Sequence, residues 1–191
     1  MKDFVLAVGT MLFVIFVSAA LSRAADQQGI PFETVADYIH SVIEADRTFY
    51  TVHVVERMQI QGGAAAAENW RAEKKVLPLP AQFLAEASSL ATKTGTKIRY
   101  RLISLWPINP QNAPANETEK KGLEAVSLHP ERAATGTVSV GGQDYFQAIY
   151  ADRAVSQACI GCHNVHPNSP KKDFRQHDVM GGLVIEIPLE K

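Results

Sequence analysis

The chain has 191 residues, of which 46% are hydrophobic and 20% charged, the balance of an ordinary globular domain able to bury a core. A net charge of -1 excludes a chain that holds nucleic acid or an anionic membrane surface by its overall charge. The two cysteines, Cys159 and Cys162, are separated by only two residues, so no disulfide framework can staple a small fold together.

From Phe4 to Leu21 the chain is uncharged and apolar, with Lys2 and Asp3 before it and Arg23 after it. Two readings of residues 1–24 stand side by side. A secretory signal peptide would use the small residues of Ser18-Ala19-Ala20 or Ser22-Arg23-Ala24 for cleavage. A retained membrane anchor needs a stretch of about this length. A buried core helix is disfavoured, because nothing here is polar enough to face water. Either reading sends the rest of the chain across a membrane, in a bacterium to the periplasm, soluble or anchored to the inner membrane by this helix. Residues 25–31 read as a linker, and residues 32–191 as one domain.

Between Phe32 and Met58 there is no Pro or Gly, and the apolar spacing is helical. Counted from Val35, the residues Ile39, Val42, Ile43, Phe49, Tyr50 and His53 share one stripe; Asp46 falls on it too, and His40 falls off it. A Gly- and Ala-rich break follows at Gly62 to Ala67, then Pro78 and Pro80 precede a second helix from Ala81 to Thr92. Lys97 to Leu102 alternates, which predicts a strand with one apolar and one basic face. Pro107 to Pro114 is a loop, and Glu117 to Ala125 a short helix. Thr137 to Val140 and Tyr145 to Val155 read as strands around a Gly141-Gly142 turn. Gly182 to Leu189 is a last strand. No internal repeat is present. The order predicts an antiparallel sheet with helices packed on it, an α+β fold.

Cys159-Ile160-Gly161-Cys162-His163 carries the chemistry. C-x-x-C-H is the attachment signature of haem c: two thiols reach the two vinyl groups of one porphyrin, and the adjacent histidine is presented to iron. A dithiol redox site would sit early in a βαβ unit and open a helix, whereas this motif lies near the C-terminus and runs into the loop Asn164 to Pro170. A zinc site would need two further ligands, for which His166 and His177 are available, but the long insert of a Cys2His2 site is missing. Haem c, one per chain and covalent, is the expected cofactor, with His163 as proximal ligand.

The sixth iron ligand is open to several residues. His166 stands too close to His163 and reads as a loop-ordering residue beside Pro167. Met180 is available as a thioether, but Gly181-Gly182 suggests a turn there and packing as its fate. His53 is the candidate on the first helix, where its position on the apolar stripe also suits a hydrogen-bonded core histidine. His40 and His129 read as surface residues. Arg99 and Arg101, on one face of a strand, could pair with haem propionates or simply solvate that face.

The chain resembles the PAS-like haem c domain family, long catalogued as a domain of unknown function, whose members occur as stand-alone cytochromes and as extracytoplasmic sensor domains. The resemblance is carried by Glu44 to His53, by Arg101 to Pro110, by Cys159 to Pro170, and by Asp178 to Gly182 with the final strand. It implies a PAS-like antiparallel sheet with flanking helices, one covalent haem on Cys159 and Cys162 with His163, and a distal ligand from the long N-terminal helix. Family members can use a cysteine thiolate there. This chain has no third cysteine, and His53 is a substitute rather than a motif match.

Two functions of different classes follow. One is one-electron transfer by a six-coordinate haem that catalyses nothing itself. The other is a haem-based sensor of redox state or of a small gas (NO or CO), which needs an output module; none follows the last strand, and this favours electron transfer. A haem enzyme, peroxidase or NO-handling, would need an open distal site with an acid–base group, a part His53 could take. The expected partner is a redox protein or a signalling protein, not nucleic acid; membrane anchoring and homodimerisation are both compatible with the sequence.

Overall fold

The computed structural model describes residues 29–189, so the expected signal peptide or anchor at 1–24 lies outside the described residues. Among the described residues no helix is long and apolar enough to cross a membrane. One compact unit begins at Phe32 and contains every element found among the described residues.

The first helix, α1 (Phe32–Phe49), carries Glu33 in its first turn and Arg47 in its last, the arrangement the helix dipole favours. It continues without a break into a π-helical segment (Tyr50–Glu56) and a final turn, α2 (Arg57–Ile60). Two short strands, β1 (Ala65–Ala66) and β2 (Val76–Leu77), pair in parallel. The sequence pattern does not announce them, because two residues are too few to show alternation. Helix α3 (Pro80–Thr92) starts with proline at its first position, and the Gln82 side chain accepts a hydrogen bond from the Leu79 amide, which satisfies one of the free N–H groups of the helix start.

Strand β3 (Arg99–Ile103), a 3-10 turn (Pro110–Asn112) and helix α4 (Glu117–Leu128) follow. Asn116 caps α4 by accepting from the Glu119 amide at 3.0 Å, a standard N-cap. Strands β4 (Ala134–Val140) and β5 (Gln143–Arg153) form a hairpin. Gly141 and Gly142 both have positive φ, 59° and 79°, as a two-residue type I′ turn requires. Helix α5 (Gln157–Val165) and strand β6 (Val179–Pro188) complete the chain.

The four-stranded sheet is antiparallel throughout, in the order β3-β6-β5-β4. The fold is therefore α+β, an antiparallel sheet with flanking helices, as expected. Alternation divides each strand between two cores. Phe146, Ala148, Tyr150, Leu183, Ile185 and Ile187 face α1 and α3, meeting Ala36, Ile43 and Leu84. Ile103, Ile149 and Val184 face α4, meeting Leu123 and Val126.

Three expectations need correction. Strand β6 begins at Val179, so Gly181 and Gly182 are strand residues and not a turn. Their lack of a side chain serves packing: a Cβ on Gly181 would come within 2.3 Å of the Ile103 carbonyl oxygen, and one on Gly182 within 2.8 Å of Ile149 and Leu123. The stripe on the first helix is also different. The helix buries Ala36, Ile43, Arg47, Thr51 and Val55, the last four at intervals of four residues, while Val42 and Phe49 are each 62% exposed. The buried side of the α-helical part is centred on Ala36, Ile43 and Arg47, rotated from a stripe counted from Val35, so Val42 and Phe49 fall outside it. The π segment from Tyr50, with more residues per turn, then keeps Thr51 and Val55 in line with Arg47. Finally, His40 is no surface residue. It is half-buried and stacks on Tyr150 with ring centroids 4.0 Å apart, and the Tyr150 hydroxyl donates to Asp37 Oδ1 at 2.8 Å. His129 is exposed, as expected.

Candidate functional site

Asn164 and Val165, expected in a loop, are helical, and the C-x-x-C-H motif opens a helix, the feature expected of a dithiol site and not of this one. It occupies α5, which Ser156 caps by accepting a hydrogen bond from the Ala158 amide at 3.2 Å. On a helix, positions i, i+3 and i+4 share one face, so Cys159, Cys162 and His163 form a single functional surface. Cys159 is half-buried, Cys162 is exposed, and both are free thiols. The space beside Gly161 is open, with nothing within 4 Å of where a Cβ would stand. Burial of its surroundings pushes the Cys162 thiol pKa up, and the charges of Cys159 and Glu68 add to that effect, which favours a thiol over a thiolate.

His163 is half-buried, and its Nδ1 is buried without a hydrogen-bond partner. Burial lowers its pKa, with help from His166 and Arg47, so the ring is held neutral with a lone pair to offer. The edge of the ring meets Phe174 at a centroid distance of 5.9 Å. Phe174 is locked in place by Asn164, whose side-chain amide donates to the Phe174 carbonyl at 2.9 Å and accepts from its N–H at 3.0 Å. Around the motif Ala154, Phe174 and Met180 form a small core, with Trp106, Cys159 and Ile160 packed against it.

The other sequence candidates are dispersed. Met180 is buried in that small core, and its carbonyl accepts from Ser104 Oγ at 2.6 Å. His166 orders its loop as expected, accepting from the Asn168 amide at 3.2 Å through Nδ1. His53 lies on the π segment that packs against α5. It is exposed rather than set in an apolar core, and its ring lies 5.1 Å from that of Phe49. Arg99 and Arg101 stand on the sheet face covered by α4. Arg99 pairs with Glu186 at 2.8 Å and lies over the Tyr145 ring, and Arg101 pairs with Glu119. The structure does not bring them to the motif. Among the described residues no group of three or more His, Cys, Asp or Glu is placed to hold a metal ion.

Beside the motif stands a charge cluster that sequence reasoning missed. Arg47 is only 4% exposed, and its Nη2 lies 2.7 Å from Asp152 Oδ1, also buried. Its Nε and Nη1 are buried without partners. Burial works against the Arg47 charge, but Asp152 and Glu44 outweigh it. Burial raises the pKa of both Asp152 and Glu44, against the pull of Arg47. The available signal was the position of Arg47, four residues after Ile43 on the buried side of α1.

These features define an α+β domain presenting two free thiols and a neutral, half-buried histidine on one helix. The comparisons place it more narrowly. Residues 27–188 match the model of the Tll0287-like family (Tll0287), so the chain belongs to the Tll0287-like family. Among solved structures it is similar to the crystal structure of the cyanobacterial heme-protein Tll0287, with 15% identity over 85% of this chain and 99% of that chain, and a TM-score of 0.49. No curated protein sequence matches the chain.

Proposed function

We propose that this protein is a periplasmic single-haem c-type cytochrome that transfers one electron at a time. The carrying observation is the C-x-x-C-H motif displayed on α5, with both thiols free and the Nδ1 of His163 buried without a partner. The residues present fit a haem. Cys159 and Cys162 would each form a thioether, and His163 would ligate iron through Nε2, leaving Nδ1–H to donate. A ligand histidine usually donates its second ring N–H to an orienting partner, and among the described residues none meets His163 Nδ1. Family membership adds support, since the family takes its name from Tll0287, a cyanobacterial heme-protein.

Bound in this way, haem iron supplies reversible one-electron chemistry with axial ligation as its main lever. The chain's own contribution is positioning. Ser156 starts the helix, Asn164 fixes Phe174 against the His163 ring, and Arg47 keeps a buried positive charge nearby. A second reading, a redox or gas sensor acting through a partner, draws support from the π segment. It packs against α5 and exposes His53, so a change at the motif could be passed to the long helix.

The test is the optical spectrum of the reduced protein with and without CO. A low-spin spectrum indifferent to CO supports electron transfer, and a CO-shifted one moves sensing to the front. Absence of a Soret band overturns the haem reading. Cys159→Ala and Cys162→Ala should each lower covalent haem staining on a denaturing gel, and the double variant should abolish it.

A further inference from the structure

The part of the chain that carries the motif is basic, although the whole molecule carries -1. After α5 the chain turns at His166 and returns along the helix toward β6. Asn164 holds Phe174 through two hydrogen bonds, the His177 amide donates to the Ala154 carbonyl, and the Ala154 amide donates to the Asp178 carbonyl. These bonds fix residues 166–178 against the motif helix. The stretch from Arg153 to Asp178 contains Arg153, Lys171, Lys172 and Arg175 but only two acids, Asp173 and Asp178. Both acids are engaged locally: Asp173 pairs with Lys171, and Asp178 accepts the backbone N–H of Arg175. Arg153, Lys172 and Arg175 are exposed and make no ion pair among the described residues. Lys171 Nζ lies 5.0 Å from the centroid of Phe174, the ring whose edge meets His163. Acidic surface gathers elsewhere, on α1, where Glu33, Asp37 and Asp46 are exposed.

We propose that Arg153, Lys171, Lys172 and Arg175 form the docking surface for an acidic redox partner protein. The inference rests on the haem reading, because docking beside the motif serves transfer only if a redox group is held there. Like charges gathered beside one site, here the exposed Arg153, Lys172 and Arg175 with the half-buried Lys171, raise the local concentration of an oppositely charged surface and orient its approach, and salt screens the effect. Uniformly spread charge would make a molecule of net charge -1 repel anions weakly. The rim predicts the opposite sign at the motif, its cations outweighing Glu68, whose charge also reaches Cys162.

That sign is measurable with the reduced full-length protein and two small oxidants, anionic ferricyanide and cationic tris(phenanthroline)cobalt(III). The ferricyanide rate should fall as salt is added and the cobalt rate should rise; the reverse pattern would overturn the proposal. Lys172→Glu/Arg175→Glu should slow ferricyanide about tenfold at low salt. Lys120→Glu/Lys121→Glu, at exposed positions on α4, should change it little, and an equal loss in both pairs would also overturn the proposal. A readout independent of electron transfer is the NMR shift map with a short oligo-glutamate peptide, expected at Arg153 and residues 171–175; shifts elsewhere, or none, would count against the rim. If the protein carries no haem, the functional reading fails while the peptide map still judges the rim. If haem is present and the map is blank, only the rim falls.

Discussion

Arg47 occupies a place on the buried side of α1 that hydrophobic patterning would give to an aliphatic residue. Its carboxylate partner, Asp152, comes from the far end of β5, so neither residue alone betrays the pair in the sequence. The consequence is one of stability. Removing one partner of a buried ion pair strands the other charge, a loss of about 3–5 kcal/mol, whereas replacing both by apolar residues is often close to neutral. Arg47→Met should therefore lower the urea-unfolding free energy by an amount in that range, and Arg47→Met/Asp152→Leu should recover most of it. A single variant as stable as the parent would mean the pair carries no structural load. His40 makes a second prediction at this scale. Burial against Tyr150 lowers its pKa from 6.5, and Asp37 opposes the shift only in part. Between the lowered value and 6.5 the folded chain binds fewer protons than the unfolded one, so stability rises with pH across that window and is lost as pH falls below 6.5. His40→Phe, which keeps a ring on Tyr150 but takes no proton, should flatten that part of the stability–pH curve; an unchanged slope would assign it to another group.

Among the elements, those with a two-residue period or a turn signature were legible in the sequence, because alternation and paired glycines act locally. β3, with its basic and apolar faces, and the β4–β5 hairpin appear where expected. The motif residues were legible for a different reason: under the proposed haem reading, attachment to one porphyrin would set their spacing whatever the fold around them. The α5 helix beneath them was not: its N-cap, Ser156, was a local signal that went unread, and the Asn164–Phe174 clamp joins residues ten apart in the chain. The inward stripe of the first helix failed because a charged residue, Arg47, sits at its centre while the apolar Val42 and Phe49 lie outside it. Gly181 shows the same limit, since a glycine pair in sequence suggests a turn while the fold uses it for close strand packing. Adding a methyl group there drives it into the Ile103 backbone carbonyl, which cannot swing aside as a side chain can. Gly181→Ala should destabilise the domain by about 1–3 kcal/mol, the usual range for overpacking. Gly136→Ala, where a Cβ meets nothing within 4 Å, is the matched control, and equal effects of the two would refute a steric role for Gly181.

At the scale of the whole molecule, the motif and the N-terminal segment make one joint prediction. Thioether formation to haem c takes place on the outer side of the bacterial inner membrane, so a chain with a C-x-x-C-H motif needs a way across. The uncharged stretch from Phe4 to Leu21 is the candidate for that passage, whether cleaved afterwards or retained. The full-length chain expressed in a bacterium with haem-attachment machinery should carry covalent haem. A version starting at Ala25 behind a new Met1 should accumulate without it. N-terminal sequencing of the haem-bearing product then separates the two modes of export: a start at Leu21 or Ala25 means a cleaved signal, and an intact Met1 in the membrane fraction means an anchor. Covalent haem on the shortened, cytoplasmic form would break the link between export and attachment, and with it the periplasmic assignment.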